Sequence, residues 1–190
     1  MKPGLLNGWL APAIIEHPLT DDLDKKVEPI APSERAVRLS GQVLGHVPHG
    51  AAIGLRLIDV RKGMALVGVG YAPHLVGDPE TQVISGGVIT TLLDIASGIA
   101  TLMSLDAPEA IATLDLRIDY MRAATPGRDL LARCRVTRRT RTIVFVSGVC
   151  FEDSEEDPVA MSVATFMRAS NESRALKEPE GAADRFKAPF

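Results

Sequence analysis

The chain reads as an α+β fold in which one antiparallel sheet of six strands wraps around a single buried helix, with an additional N-terminal helix ahead of it. Three observations predict this. Residues 86–105 form a long apolar run interrupted by one acid, Asp94. Two strand-like segments precede that run and four follow it. The later segments alternate apolar and polar residues between compact charged turns, as strands of an antiparallel sheet do.

The elements follow in order. Residues 1–32 carry five prolines (Pro3, Pro12, Pro18, Pro29, Pro32) and keep no hydrophobic period, so they read as an extended N-terminal arm. Ser33 is placed to cap a helix reaching about Val47, with Val37, Leu39, Val43, Leu44 and Val47 as its apolar positions and Pro48 as its stop. Ile53 to Val60 alternates imperfectly as a strand, Arg61-Lys62-Gly63 turns the chain, and Met64 to Tyr71 returns as its hairpin partner. Residues 72–84, with Pro73, Gly77 and Pro79, read as a loop before the apolar helix.

Beyond the helix, Ile111 to Met121 forms a strand with Leu114, Leu116, Ile118 and Tyr120 on one side. Three more run from Asp129 to Thr137, Thr142 to Phe151 and Pro158 to Arg168. The basic turn Arg138-Arg139-Thr140-Arg141 and the acidic turn at 152–157 separate them. The domain thus spans 33–169, and the charged stretch 170–190 reads as a peripheral or disordered tail. Trp9 and Phe190 would tether the two arms to the domain surface.

One ordinary domain fits a chain of 190 residues, and a composition of 46% hydrophobic and 24% charged residues is globular. A net charge of −3 gives no nucleic-acid footprint. The apolar run is long enough for a membrane span, but Asp94 and the threonines and glycines around it favour a buried core helix. Asn7, Gly8 and Pro12 break the N-terminal apolar stretch, which favours a cytoplasmic protein over a secreted one. Cys134 and Cys150 cannot make a disulfide framework, and about a turn at 139–141 Cys134 would oppose a position near 146. The histidines have no metal-binding spacing, and no Walker, dinucleotide-binding or nucleophile-elbow motif occurs, so neither a metal nor another cofactor is expected.

Asp94 needs an explanation, because a lone charge in an apolar helix is costly to bury unless it is paired, neutralised or facing a wet cleft. Gly86 and Gly87 add to it: the first N–H groups of a helix lack internal acceptors, and glycines let a ligand oxygen approach them. Seven residues separate Gly87 from Asp94, roughly 10 Å at about 1.5 Å per residue, so both cannot serve one carbonyl from the same chain. If both are catalytic, the site is shared between symmetry mates. The residues alone leave open a plainer reading, in which Asp94 pairs with an arginine or caps another element and the glycines serve packing.

The stretch Ser85-Gly86-Gly87-Val88-Ile89-Thr90-Thr91-Leu92-Leu93-Asp94 resembles the HGG…D helix of the PaaI-like acyl-CoA thioesterases of the hotdog fold, and residues 112–122 resemble that family's next strand. The similarity covers roughly residues 48–168. It implies that Asp94 activates water or attacks the thioester carbonyl, that Gly87 N–H from another subunit binds the oxyanion, and that Thr113 holds the water. It also implies an acyl-CoA substrate and a homodimer or dimer of dimers, with no cofactor, nucleic acid or membrane partner.

Two positions depart from the family. Ser85 stands where a histidine usually precedes the glycine pair, and Asp78 is the nearest candidate for an asparagine whose amide polarises the carbonyl. A carboxylate accepts rather than donates, and losing one oxyanion donor costs about 10²–10³ in rate in known hydrolases. A hotdog protein that binds acyl-CoA without cleaving it is therefore the rival reading. A hydratase is disfavoured because no histidine lies in or just before the helix. Arg138, Arg139 and Arg141 could grip the coenzyme A phosphates, or simply form a solvated turn, and Arg122 is a further candidate neighbour of the phosphate or pantetheine. His49 is read as structural.

Overall fold

The computed structural model describes Leu44, residues 47–107 and residues 109–168. The N-terminal arm, the helix expected at 33–47 apart from Leu44 and Val47, the tail from 170, Trp9 and Phe190 lie outside the described residues. A short helix, α1 (Pro48–Ala52), opens the described domain. Pro48, expected as the stop of the helix before it, stands at the first position of this one. The missing N–H is no loss in a first turn, and the fixed φ of proline already suits a helix.

Strands β1 (Leu55–Arg61) and β2 (Met64–Val69) form the expected hairpin, with Gly63 at φ 69°, the left-handed conformation that the turn needs. The imperfect alternation of β1 has a structural cause: a bulge between Leu57 and Asp59 resets its register against β2. Leu57 then joins the main core, while Ile58 joins a small second cluster with Leu66 and Phe151. The segment 72–84 is more ordered than a plain loop, with a 3-10 turn at Pro73–Leu75 and a miniature hairpin of β3 (Val76–Asp78) and β4 (Val83–Ile84).

The long helix α2 (Gly86–Ser104) comes next, then β5 (Ile111–Tyr120), β6 (Leu130–Arg139), β7 (Ile143–Phe151) and β8 (Ala160–Arg168). The six long strands pair antiparallel in the order β1-β2-β6-β7-β8-β5. Their concave side holds α2, which lies mainly over β2, β6 and β7 and buries Leu92, Leu93, Ala96 and Ala100 completely. Burial of this kind is worth roughly 1.5–3 kcal/mol per large apolar side chain, so the helix that looks like a membrane span by composition is the core of the domain. The other end of the sheet order leaves β5 as a ten-residue edge.

A second bulge, between Thr113 and Asp115, shifts the register of β5 against β8. It corrects the expected inner face: Leu116 and Ile118 pack on the core, but Leu114 is 54% exposed and Tyr120 is 52% exposed. The hairpin of β6 and β7 turns one residue later than the sequence suggests, so Cys134 opposes Gly148 rather than a position near 146. Both cysteines are free and buried, and desolvation pushes each thiol up to about 12, which makes them packing residues rather than nucleophiles.

Gly148 occupies the tightest point of this layer. A Cβ there would lie 2.5 Å from Ser162 Oγ and 2.8 Å from Cys134 Sγ, with Leu93 at 3.2 Å. Gly148→Ala should therefore destabilise the domain by about 2 kcal/mol through overpacking, read as a lowered urea midpoint with an unchanged m-value.

Candidate active site

Ser85 caps α2 with its backbone still extended, and its Oγ accepts from Gly87 N–H at 3.3 Å, a long bond for a helix cap. Gly86, Gly87 and Thr90 are exposed, Thr91, Asp94 and Gly98 are half-buried together with Ile95, Leu102 and Met103, and the remaining residues of the helix are buried. Positions 87, 91, 94 and 98 fall on one side of a helix, a stripe that the sheet leaves open at Gly87 and closes at Gly98, which lies beside Phe166 and Ile111.

The stripe is pinned from both flanks. From β5, Tyr120 donates its hydroxyl to Gly86 C=O at 3.0 Å, and Thr90 Oγ1 lies 3.0 Å from the same hydroxyl and 3.1 Å from the same carbonyl. From α1, His49 Nε2 sits 3.1 Å from Thr91 Oγ1, whose own hydroxyl donates to Gly87 C=O at 3.0 Å. With that proton committed, His49 is the donor in the pair. Tyr120, Thr90 and Thr91 were not singled out by the sequence. The only signal for them was a pair of threonines one turn after a pair of glycines.

Asp94 stands near the middle of the stripe. Thr113 Oγ1 donates to its Oδ1 at 3.0 Å, and among the described residues this is the carboxylate's one side-chain hydrogen bond. No arginine or lysine among the described residues neutralises it. Thr113 reaches it from the β5 bulge, a place where an extra residue re-aims a side chain. Gly87 of the same chain remains about two helical turns away.

Beside Gly86 a cavity of about 320 Å³ opens between α2 and the end of β5, walled by Ile84, Ile89, Tyr120, Met121 and Ala124. It is mostly apolar, as ligand sites generally are.

Of the other expected binding residues, Arg122 also lines this cavity, and Asp78 and the basic turn do not. Asp78 spends both oxygens inside its own turn, on Glu80 N–H at 3.0 Å and Thr81 Oγ1 at 2.7 Å. The Thr81 bond, followed by the Glu80 amide, holds its carboxyl below the usual range, so it remains an acceptor and supplies no donor to a carbonyl. Arg122 binds Asp157 at 3.0 Å and Glu152 at 3.4 Å, so its charge is already matched within the chain. Burial opposes ionisation of Glu152, but the Thr125 amide, Arg122 and the Thr125 hydroxyl outweigh it and keep that carboxyl below its ordinary pKa. Arg139 pairs with Asp106 at 3.1 Å and donates to Ser104 C=O, which stabilises the negative end of α2. The turn carrying Arg138, Arg139 and Arg141 is thus at the opposite end of α2 from Gly87, on the order of 25 Å along the axis. Among the described residues, no three His, Cys, Asp or Glu side chains cluster closely enough to hold a metal ion.

Comparisons with known proteins bear on this geometry. A family model described as the Thioesterase superfamily matches residues 81–158, which contain α2 and most of the strands after it. The medium/long-chain acyl-CoA thioesterase YigI of Salmonella typhimurium is 30% identical over 150 residues, taking in 71% of this chain and 95% of the relative. A crystal structure of a Pseudomonas aeruginosa protein superposes with a TM-score of 0.64 at 33% identity, over 70% of this chain and 99% of that one. The PaaI protein of the Escherichia coli phenylacetic acid degradation operon shares the fold, with a TM-score of 0.62 at 19% identity over 73% and 96% of the two chains. A helix with a Ser-Gly-Gly start held in a six-stranded antiparallel sheet, matched along nearly the whole of a relative, places this chain in the thioesterase superfamily as a thioester hydrolase of the hotdog fold.

Proposed function

We propose that the protein hydrolyses acyl-CoA to the free acid and coenzyme A, with Asp94 as general base and Gly87 N–H of a partner subunit as oxyanion donor. The observation that carries this reading is the Asp94 carboxylate itself: half-buried, unpaired with any cation among the described residues, and held by a single hydroxyl from Thr113. One Asp94 oxygen remains for a water that Thr113 helps to place. The water attacks the thioester carbonyl as its proton passes to Asp94, and collapse of the tetrahedral intermediate releases the thiolate of coenzyme A. Ser85 Oγ holds Gly87 N–H only loosely, and a charged oxygen is the stronger acceptor, so rotation of Ser85 frees the donor.

The partner subunit is supported by the separation of Gly87 and Asp94 and by the exposed edge of β5, whose unpaired backbone groups suit pairing with a second β5 into a twelve-stranded sheet. Exposed Phe145, Met161, Val163 and Met167 on the outer face of β7 and β8 favour a further, face-to-face contact, hence a dimer of dimers.

YigI is named for medium and long acyl chains, and the cavity beside Gly86 has apolar walls, so saturated acyl-CoA esters of those lengths are the first substrates to assay. Thiol release across a series from acetyl to palmitoyl should rise with chain length. Tight binding of a non-hydrolysable CoA thioether with no thiol release from any ester would instead favour the rival, a non-catalytic acyl-CoA binder, which the commitment of Asp78 to its own turn also favours.

A further inference from the structure

The two glycines that expose the oxyanion donor also create a weakness. Glycine has more conformational freedom to lose than any other residue, so a helix that begins Gly-Gly holds its first amide planes poorly. A donor that wanders does not stabilise a transition state, because electrostatic catalysis depends on dipoles fixed before the charge develops.

The amide bearing the Gly87 N–H has the Gly86 carbonyl at its other end. That carbonyl receives the Tyr120 hydroxyl at 3.0 Å and the Thr90 hydroxyl at 3.1 Å, and the two hydroxyls lie 3.0 Å from each other. We propose that Tyr120 is a positioning residue for the oxyanion hole: its hydroxyl fixes the plane of the Gly86–Gly87 amide and, by polarising the C=O, strengthens the N–H as a donor. The inference rests on the reading of Gly87 as that donor.

Three features favour this over a packing role. Tyr120 is 52% exposed, so its ring is not there chiefly to fill the core. Its hydroxyl nevertheless has an acceptor that already takes an intrahelical N–H, so the bond is not required to satisfy Gly86 C=O. The contact is also close: a methyl on Gly86 would lie 3.3 Å from the Tyr120 oxygen. Hydrogen bonds in series polarise one another, so donation to the carbonyl is felt at the N–H. The His49 and Thr91 pair grips Gly87 C=O instead, which belongs to the next amide and leaves the donor's own plane to Tyr120 and Thr90.

The test uses Tyr120→Phe, which keeps the ring and removes the hydroxyl. With a medium-chain acyl-CoA, kcat should fall about tenfold while KM changes little, as loss of one hydrogen bond felt only in the transition state predicts. The second readout is the infrared carbonyl stretch of a thioester labelled with carbon-13 and bound to Asp94→Asn, a background in which it persists. An oxyanion hole lowers that frequency relative to free solution. In Asp94→Asn combined with Tyr120→Phe the frequency should move back towards the free value. An unchanged frequency and kcat in the Tyr120→Phe proteins would overturn the positioning role while leaving Gly87 as donor. Absence of any lowering in Asp94→Asn with Tyr120 intact would overturn the Gly87 reading, and the positioning role with it.

Discussion

Asp94→Ala should lower kcat for acyl-CoA hydrolysis by about 10³-fold, within the range that a positioned general base contributes, with little change in KM. Asp94→Asn should do nearly the same, which is the more demanding result. Its amide retains the shape of the carboxylate and still accepts from Thr113, so the water site and the β5 bulge are preserved, but it cannot take a proton. Neither change should cost stability, because the side chain is half-buried and its single side-chain hydrogen bond is to a hydroxyl on an exposed residue. Thiol release measured beside a thermal melt separates the two effects. Undiminished turnover in both variants, with unchanged melting, would take Asp94 out of the chemistry and leave its position on the open stripe of α2 without a catalytic meaning.

The parts of this site that could be read without coordinates are those that a period or a local rule encodes. The apolar run at 86–105 with one acid gave the core helix, and alternation gave the six long strands with ends mostly within two residues of those observed. What escaped depends on contacts between distant elements. Nothing local marks the bulge at Thr113 and Asp115, yet it is this bulge that turns Leu114 outward beside the residue contacting Asp94. Pro48 illustrates a rule with two outcomes, since proline both follows helices and begins them. Arg122 and Arg139 look alike in sequence to any phosphate-binding arginine. Their carboxylate partners Asp157 and Asp106 lie some thirty residues away along the chain, and no local pattern announces them. Tyr120 keeps step with Leu116 and Ile118 in the sequence, yet at the end of the edge strand it stands half exposed in the wall of the cavity.

Gly87→Ala should separate catalysis from folding still more sharply. A Cβ at Gly87 would meet only Ser85 Oγ, at 3.6 Å, and otherwise points into open space, whereas the backbone there is ordinary right-handed helix. Alanine is favoured over glycine in a helix by about 1 kcal/mol in its interior, so the variant should melt at the same temperature or higher. Its methyl nevertheless stands where a substrate oxygen would approach the N–H, and kcat/KM should drop about 10²-fold or more. The pairing of this variant with Asp94→Ala then tests whether the site is shared. In a symmetric dimer with one site made from Asp94 of one subunit and Gly87 of the other, a mixed dimer has one site with both groups damaged and one with both intact. Equal mixing with free exchange makes half the dimers mixed, so activity should return to about a quarter of wild type, far above either variant alone. Activity that stays at the sum of the two damaged proteins after proven exchange would mean that each chain completes its own site. The roughly 10 Å between Gly87 and Asp94 along one helix would then have to be bridged by a group other than the carboxylate.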